Sequence, residues 1–301
     1  MVHETIVPSA GAPSLEAIVS KYLAQRKVRV QAAALAVAGP VVDGKAQLSN
    51  LPWVLDEKTL SRELGIPIVR LVNDLVAAAI GCTFVRRADT ITLARGKPVN
   101  QGNMAVIAAG SGLGEALLVW ERDRYVPQPT EGGHADFAPS SPLEDELLSY
   151  LRFRTSPDHV SYERILSGPG LGHLYDFFVA QLGETPANRR RLGTKRRNAV
   201  ISLLGLARKS RPAAQAVDLF ARICGAESGN LALKGLTTGG LFLCGQIAAE
   251  ILPRKKAAFL SAMRAKGRMS ELLTQIPVTI VTDTLVGLAG AGSLAASLAS
   301  G

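Results

Sequence analysis

Three short stretches of this chain carry polar chemistry that a packed core does not call for. The first is Glu131-Gly132-Gly133-His134-Ala135-Asp136-Phe137, which sets two carboxylates, two glycines and an imidazole side by side. The glycines and charged residues interrupt any helical apolar stripe, so burial does not account for the pattern. Glycine lets backbone approach a ligand closely, while carboxylate and imidazole hydrogen-bond it, so the stretch reads as a loop for a polar ligand. His134 alone would more often be a structural histidine; its place beside Glu131 and two glycines marks it as a ligand group. The second stretch is Asn73-Asp74, where an apolar run that reads as strand meets a helical pattern. Open α/β sheets hold ligands at such junctions, and Asn and Asp also cap helices there, so the dipeptide alone leaves both roles open. The third is Gly110-Ser111-Gly112-Leu113-Gly114, a glycine-rich tip between two apolar runs. Its N–H groups can form a nest for phosphate, although most such tips merely turn.

These residues need a scaffold of alternating strands and helices, and the rest of the sequence supplies the signals for one. Residues 1–8 read as a short strand stopped at Pro8. Ser14 caps an expected helix whose Leu15, Ile18, Val19, Tyr22 and Leu23 share one buried face. Ala32 to Val37 reads as a strand buried on both sides. A helix from about Asp56 to Leu64 ends on Gly65, followed by a buried strand over Ile66 to Val72 and a helix from Leu75 to Ile80. After a less regular stretch over about 83–100, strands at Met104 to Ala108 and Ala116 to Trp120 flank the glycine-rich tip. Helices follow over 142–154, 161–166, 169–182 and about 211–234, then a strand at Gly239 to Cys244 and a helix through Pro253. A strand at Val278 to Val281 and an Ala/Gly-rich helix from about Leu285 close the chain.

The totals narrow the function classes. At 301 residues, 47% hydrophobic and 20% charged, the chain has the composition of a folded protein with two domains or lobes. No apolar run reaches the roughly 20 residues that span a bilayer, and the first residues lack the basic and apolar regions of a signal peptide, so the expected location is the cytoplasm. Cys82, Cys224 and Cys244 are widely spaced and form no C-x-x-C. They read as buried structural thiols, not a disulfide framework or a zinc site. Much of the net charge of +9 sits in Arg189, Arg190, Arg191, Lys195, Arg196 and Arg197. Without interleaved aromatics to stack bases, this run reads as a solvated surface, and nucleic acid ranks behind a small anionic substrate such as a nucleotide.

Taken together, the motifs resemble the bacterial-type glucokinases of the hexokinase/actin-like ATPase fold. The resemblance runs through Ala38-Gly39-Pro40, Asn50-Leu51-Pro52-Trp53, Val72-Asn73-Asp74, the tip at 110–114, the loop at 131–137, and Glu163-Arg164-Ile165-Leu166-Ser167-Gly168-Pro169-Gly170. It continues in Gly229-Asn230-Leu231-Ala232-Leu233 and Gly239-Gly240-Leu241-Phe242-Leu243-Cys244-Gly245. Each motif is weak alone; their common order is specific. The related repressor–kinase (ROK) group carries a cysteine-rich zinc motif after its histidine, and none follows His134. The resemblance implies a two-lobed α/β fold of ribonuclease H-like type. A small α/β domain would comprise 1–84 and 284–301, and a larger helix-rich α+β domain 85–283. It implies transfer of a phosphoryl group from Mg2+-bound ATP to the 6-hydroxyl of glucose, with Asp74 as general base and Asn73, Asp74, Glu131, His134 and Glu163 around the sugar. Amide, imidazole and carboxylates suit a ring of hydroxyls that each donate and accept. Glu163 by itself could equally be an ordinary first-turn helix carboxylate. Gly110, Ser111, Gly112 and Gly114 match the second phosphate loop, and Gly240 and Gly245 the adenosine region; no metal ligand of the protein's own is implied. A homodimer is the assembly common in such enzymes.

The chain departs from the family pattern twice. Gln246 stands where a second glycine is expected, and a side chain there would crowd adenosine. The opening Asp-x-Gly-Gly-Thr-Asn turn, which grips the ATP phosphates, is found nowhere in the sequence. The small domain is therefore expected to be incomplete at its N-terminus, with sheet edges unpaired. The expected consequence is sugar binding with slowed phosphoryl transfer, each lost electrostatic donor costing about 2.7–4 kcal/mol at the transition state. The alternative is a kinase-derived sugar-binding or regulatory protein.

Overall fold

The computed structural model describes residues 3–9, 11–48, 51–155, 157–193 and 196–300. Asn50 and Lys195, singled out above, lie outside them. Contacts divide the chain into two compact units, Met1–Gly81 with Leu285–Gly301, and Cys82–Thr284.

In the smaller unit, residues 3–9 form no strand, contrary to expectation, and Ile6 is 88% exposed. A strand needs a neighbour for its N–H and C=O groups; no strand among the described residues pairs with this stretch, and Pro8 removes a donor. Helix α1 (Leu15–Arg26) starts at Ser14, whose hydroxyl accepts from the Ala17 N–H at 3.2 Å. Its apolar spacing does not produce the expected buried face: no α1 residue is buried, and Leu15 and Leu23 rest only partly on the core. Strand β1 (Ala32–Val37) has the expected limits but not burial on both sides, since only Val37 is fully buried. Strands β2 (Val41–Val42), β3 (Lys45–Gln47) and β4 (Val54–Asp56) form a small antiparallel sheet. Asp56 then caps helix α2 (Glu57–Leu64), accepting from the Thr59 N–H at 2.9 Å, and Gly65 ends it with φ 64°.

Strand β5 (Ile68–Asn73) begins two residues later than the apolar run suggests. Ile66 is still held in the turn, its N–H donating to Ser61 O and its carbonyl accepting from the Ser61 hydroxyl at 2.7 Å. Residues of β5 alternate between buried and exposed instead of being buried throughout. The strand lies parallel to β1, from Ala32 opposite Ile68 to Val37 opposite Asn73. It passes without a loop into helix α3 (Asp74–Cys82). The closing helix, Val286–Ser300, approaches α3 so closely that a Cβ on Gly290 would meet the Ala77 carbonyl. Val37, Leu55, Leu60, Val69 and Leu71 form the unit's main core.

The larger unit is built on one six-stranded sheet. It comprises β6 (Thr90–Ala94), β7 (Met104–Ala109), β8 (Leu113–Glu121), β9 (Arg124–Pro129), β10 (Gly240–Cys244) and β11 (Val278–Val281), in the order β6-β11-β10-β7-β8-β9. Its helices are α4 (Pro142–Arg154), α5 (Gly168–Leu182), α6 (Pro186–Leu192), α7 (Arg197–Leu206), α8 (Arg211–Gly235), α9 (Gln246–Ile251), α10 (Lys256–Arg264) and α11 (Ser270–Gln275). The long α8 is the buried axle, packing with α5, α7 and α10 around Phe220, Ile223 and Leu231. Strand β6 occupies the stretch expected to be irregular, and residues 161–166 hold a 3-10 turn, Tyr162–Arg164, in place of a helix. All three cysteines are buried free thiols, with Cys82 Sγ 3.7 Å from Cys244 Sγ. Arg189, Arg190, Arg191 and Arg196 are solvated, whereas Arg197 pairs with Asp176 and lies over the Tyr175 ring. No helix among the described residues is long and apolar enough to cross a membrane.

Candidate active site

In the smaller unit, the ends of β1 and β5 fix Asn73. Its Nδ2 donates to Gly39 O at 3.1 Å, and its Oδ1 accepts from the Leu75 N–H at 2.9 Å and the Val76 N–H at 3.3 Å. Asn73 therefore caps α3, and Gly39, in the Ala38-Gly39-Pro40 motif, holds it in place. Asp74 is left at the mouth of the strand–helix junction with one oxygen accepting from the Leu75 N–H at 2.9 Å. Its carboxyl is exposed at its tip but flanked by protein, and this desolvation raises its pKa above the ordinary carboxylate value against the hydrogen bonds that lower it. A base with a raised pKa at a strand end is suited to take a proton from a hydroxyl.

In the larger unit, β7 and β8 pair up to Ala109 opposite Leu113, so the tip is only Gly110-Ser111-Gly112 and Leu113 already belongs to the strand. The Gly110 N–H donates to Gly112 O at 2.9 Å, and Gly110 O accepts from the Gly168 N–H at 2.8 Å. Ser111 is exposed at the apex, and Gly114 pairs with Ala108. Gly245 has φ 95°, and a Cβ there would run into the Ala109 carbonyl, so this glycine lets the end of β10 lie against the base of the tip. Gly240 is not brought to this cluster. It opens β10, opposite Met104, and thus lies at the other end of the strand from Gly245. Gln246, which begins α9, is exposed.

The loop Glu131–Phe137 lies over β8. Gly132–His134 form a 3-10 turn, and Gly133 is buried where a Cβ would strike the Leu113 carbonyl. His134 Nε2 stands 3.9 Å from Glu131 Oε2, beyond hydrogen-bond reach, and both side chains are more than half exposed, so both remain available to a ligand. The following residues pair with the segment before Glu163: the Phe137 N–H donates to Val160 O at 2.8 Å and the Tyr162 N–H to Ala135 O at 3.1 Å. This ladder brings Glu163 next to the loop. Glu163 Oε2 accepts from the Leu113 N–H at 2.9 Å and sits where a Cβ of Gly112 would be. The backbone of Leu113 thus ties the glycine tip, the loop and Glu163 together. Ser167, whose hydroxyl donates to Glu163 O at 2.7 Å, caps α5 through the Gly170 N–H.

Sequence reasoning missed several residues of this cluster. His159 bonds Asp136 Oδ1 at 2.7 Å and His134 O at 2.9 Å, so Asp136 braces the loop. Asn198 and Ile247 border Gly168 and the Gly110 carbonyl. His159, Asn198 and Ile247 stand in no motif; each is recruited by the fold. The pairing of Asp136 with His159, 23 residues on, has no local signal.

Comparison with known proteins converges on one group. The glucokinase family matches residues 1–298. A glucokinase from a Nostoc species is 38% identical over 99% of this chain and 92% of its own length, and one from Yersinia enterocolitica is 36% identical over 93% and 84%. Among solved structures, glucokinase from an Antarctic psychrotroph superposes with a TM-score of 0.83 at 30% identity, covering 97% of this chain and 88% of that one. A glucokinase from Balamuthia mandrillaris, solved in complex with glucose, shares the fold at a TM-score of 0.79 and 21% identity, covering 93% and 82%. A ROK-family glucokinase from Streptomyces griseus, solved with glucose and AMPPNP, shares it at 0.62 and 22%, covering 95% and 89%. None of these relatives supports the non-catalytic alternative. With the glycine tip, the Glu131–His134 loop and the Asn73–Asp74 junction in place, this chain belongs to the glucokinase family, whose reaction is the ATP-dependent phosphorylation of glucose.

Proposed function

We propose that the chain converts glucose and Mg2+-bound ATP to glucose 6-phosphate and ADP, with the sugar hydroxyls taken by Asn73, Glu131, His134 and Glu163. Asp74 removes the proton of the 6-hydroxyl as its oxygen attacks the γ-phosphorus, and that proton leaves on the carboxyl. The tip formed by Gly110, Ser111, Gly112 and Gly114 receives phosphate oxygens through N–H groups other than that of Gly110, which is bonded within the tip, and adenosine lies by Gly245. Mg2+ arrives with the nucleotide as part of the substrate. In the cell the reaction is the entry step of glycolysis in the cytoplasm, and a homodimer is the assembly to test. The observation that supports the reading is the hydrogen bond from the Leu113 N–H to Glu163, which holds that carboxylate against the strand leaving the glycine tip.

The test is glucose binding by calorimetry beside a coupled assay for ADP. E131Q should weaken glucose about 10- to 100-fold, the cost of a hydrogen bond to a charged group. D74N should bind glucose within a few-fold of the parent while turnover falls about 10²–10⁴-fold. Full turnover in D74N, or unchanged glucose affinity in E131Q, would refute these assignments.

A further inference from the structure

Beneath the sugar loop lies a buried polar cluster that the reaction as described leaves unused. Glu115, on β8 two residues past Leu113, is 2% exposed. Its Oε2 rests against Gly132, where any Cβ would overlap it, and its buried Oε1 has no hydrogen-bond partner. Thr130 joins the same two residues, its hydroxyl donating to Glu115 O at 2.9 Å and accepting from the Gly132 N–H at 3.1 Å. From the other side α8 presents Glu227, which is fully buried. Its Oε2 accepts from Asn230 at 2.9 Å, and its Oε1 stands 3.8 Å from Lys234 Nζ. Lys266 donates to Asn230 at 2.6 Å, and Tyr162 accepts from Asn230 at 3.1 Å. The cations therefore gather around Glu227, and Glu115 has none in contact.

Two carboxylates in one dry region cannot both ionise cheaply. Lys234 stands 3.8 Å from Glu227, and Lys266 bonds its partner Asn230. Burial first, and Glu227 second, push Glu115 up to about 8, with Lys234 opposing. The Cys224 thiol, the remaining titratable group of α8 that feels Glu115, is itself pushed up to about 12 by burial. If Glu115 lost its proton, the charge could be hydrated only by opening the loop that covers it.

We propose that Glu115 is a positioning residue for glucose: as the neutral acid it supports Gly132 from beneath, and its ionisation loosens the Glu131–His134 loop. This rests on the reading of that loop as the sugar site. The test is glucose affinity by calorimetry from about pH 6 to about pH 9.5, which needs no turnover. The parent dissociation constant should be level at first and rise roughly tenfold per unit above about pH 8. In E115Q, which keeps the neutral shape, it should stay level. In E227Q the rise should move to lower pH, because the neighbouring charge that holds the proton is gone. A level parent profile, the same rise in E115Q, or an unmoved midpoint in E227Q would each overturn the proposal. E131Q separates the two readings: if it binds glucose at pH 7 as the parent does, the sugar-loop assignment fails irrespective of Glu115.

Discussion

The catalytic role proposed for Asp74 and its cost to the fold share one origin, its desolvation. A carboxyl whose pKa is raised on folding binds more protons folded than unfolded, so it lowers stability as pH climbs from its ordinary value through its raised one. At neutral pH the ionised Asp74 is therefore a net burden. D74N should melt higher than the parent at pH 7 and no higher near pH 3, where both are neutral, even as turnover collapses; equal melting temperatures at both pH values would contradict this. Glu115 follows the same sign over a wider window: the folded state should lose stability between about pH 4.5 and about pH 8. At Gly112 the constraint is steric. An alanine methyl would fall on Glu163 Oε2, so G112A should push Glu163 off the Leu113 N–H and raise the glucose KM at least about tenfold, roughly 1.4 kcal/mol. A KM unchanged in G112A would show that Glu163 is not held for the sugar.

At the scale of elements, close backbone approaches decide which glycines are irreplaceable. G245A would force a β-carbon onto the Ala109 carbonyl at φ 95°. It should lower stability by about 1–3 kcal/mol and weaken protection by ATP against thermal unfolding; an alanine variant that ATP protects as well as the parent would dismiss the nucleotide role of that turn. The sequence made the core elements legible, since β1, β7, β11, α4 and α8 carry their apolar periodicity within themselves. What it concealed were elements defined by partners. Strand β6 exists because β11 accepts it antiparallel, despite a charged and irregular approach. Residues 3–9 have strand-like composition but no strand partner among the described residues, and the apolar positions of α1 find little to cover them. In the same way the proposed sugar residues Glu131, His134 and Glu163 stand in motifs, whereas the contacts of His159 and Glu115 arise only from what the chain folds onto them.

Across the whole molecule, a net charge of +9 favours an anionic substrate over a neutral one. The KM for ATP should rise as ionic strength goes from about 0.05 to about 0.5 M, while that for glucose should hardly change. Parallel salt responses would mean that the charge serves solubility alone. The backbone at Leu113 has a thermodynamic consequence as well. Its N–H anchors Glu163, its carbonyl abuts Gly133, and it adjoins the glycine tip. On the proposed assignments, a nucleotide that stills the tip would also still Glu163 and Gly133, so the ordering cost of the second ligand would be met by the first. Glucose should bind more tightly with ADP present, and by linkage ADP should bind more tightly by the same factor with glucose present. The two ligands would then be cooperative through the Leu113 backbone, whose N–H and carbonyl lie on successive peptide bonds.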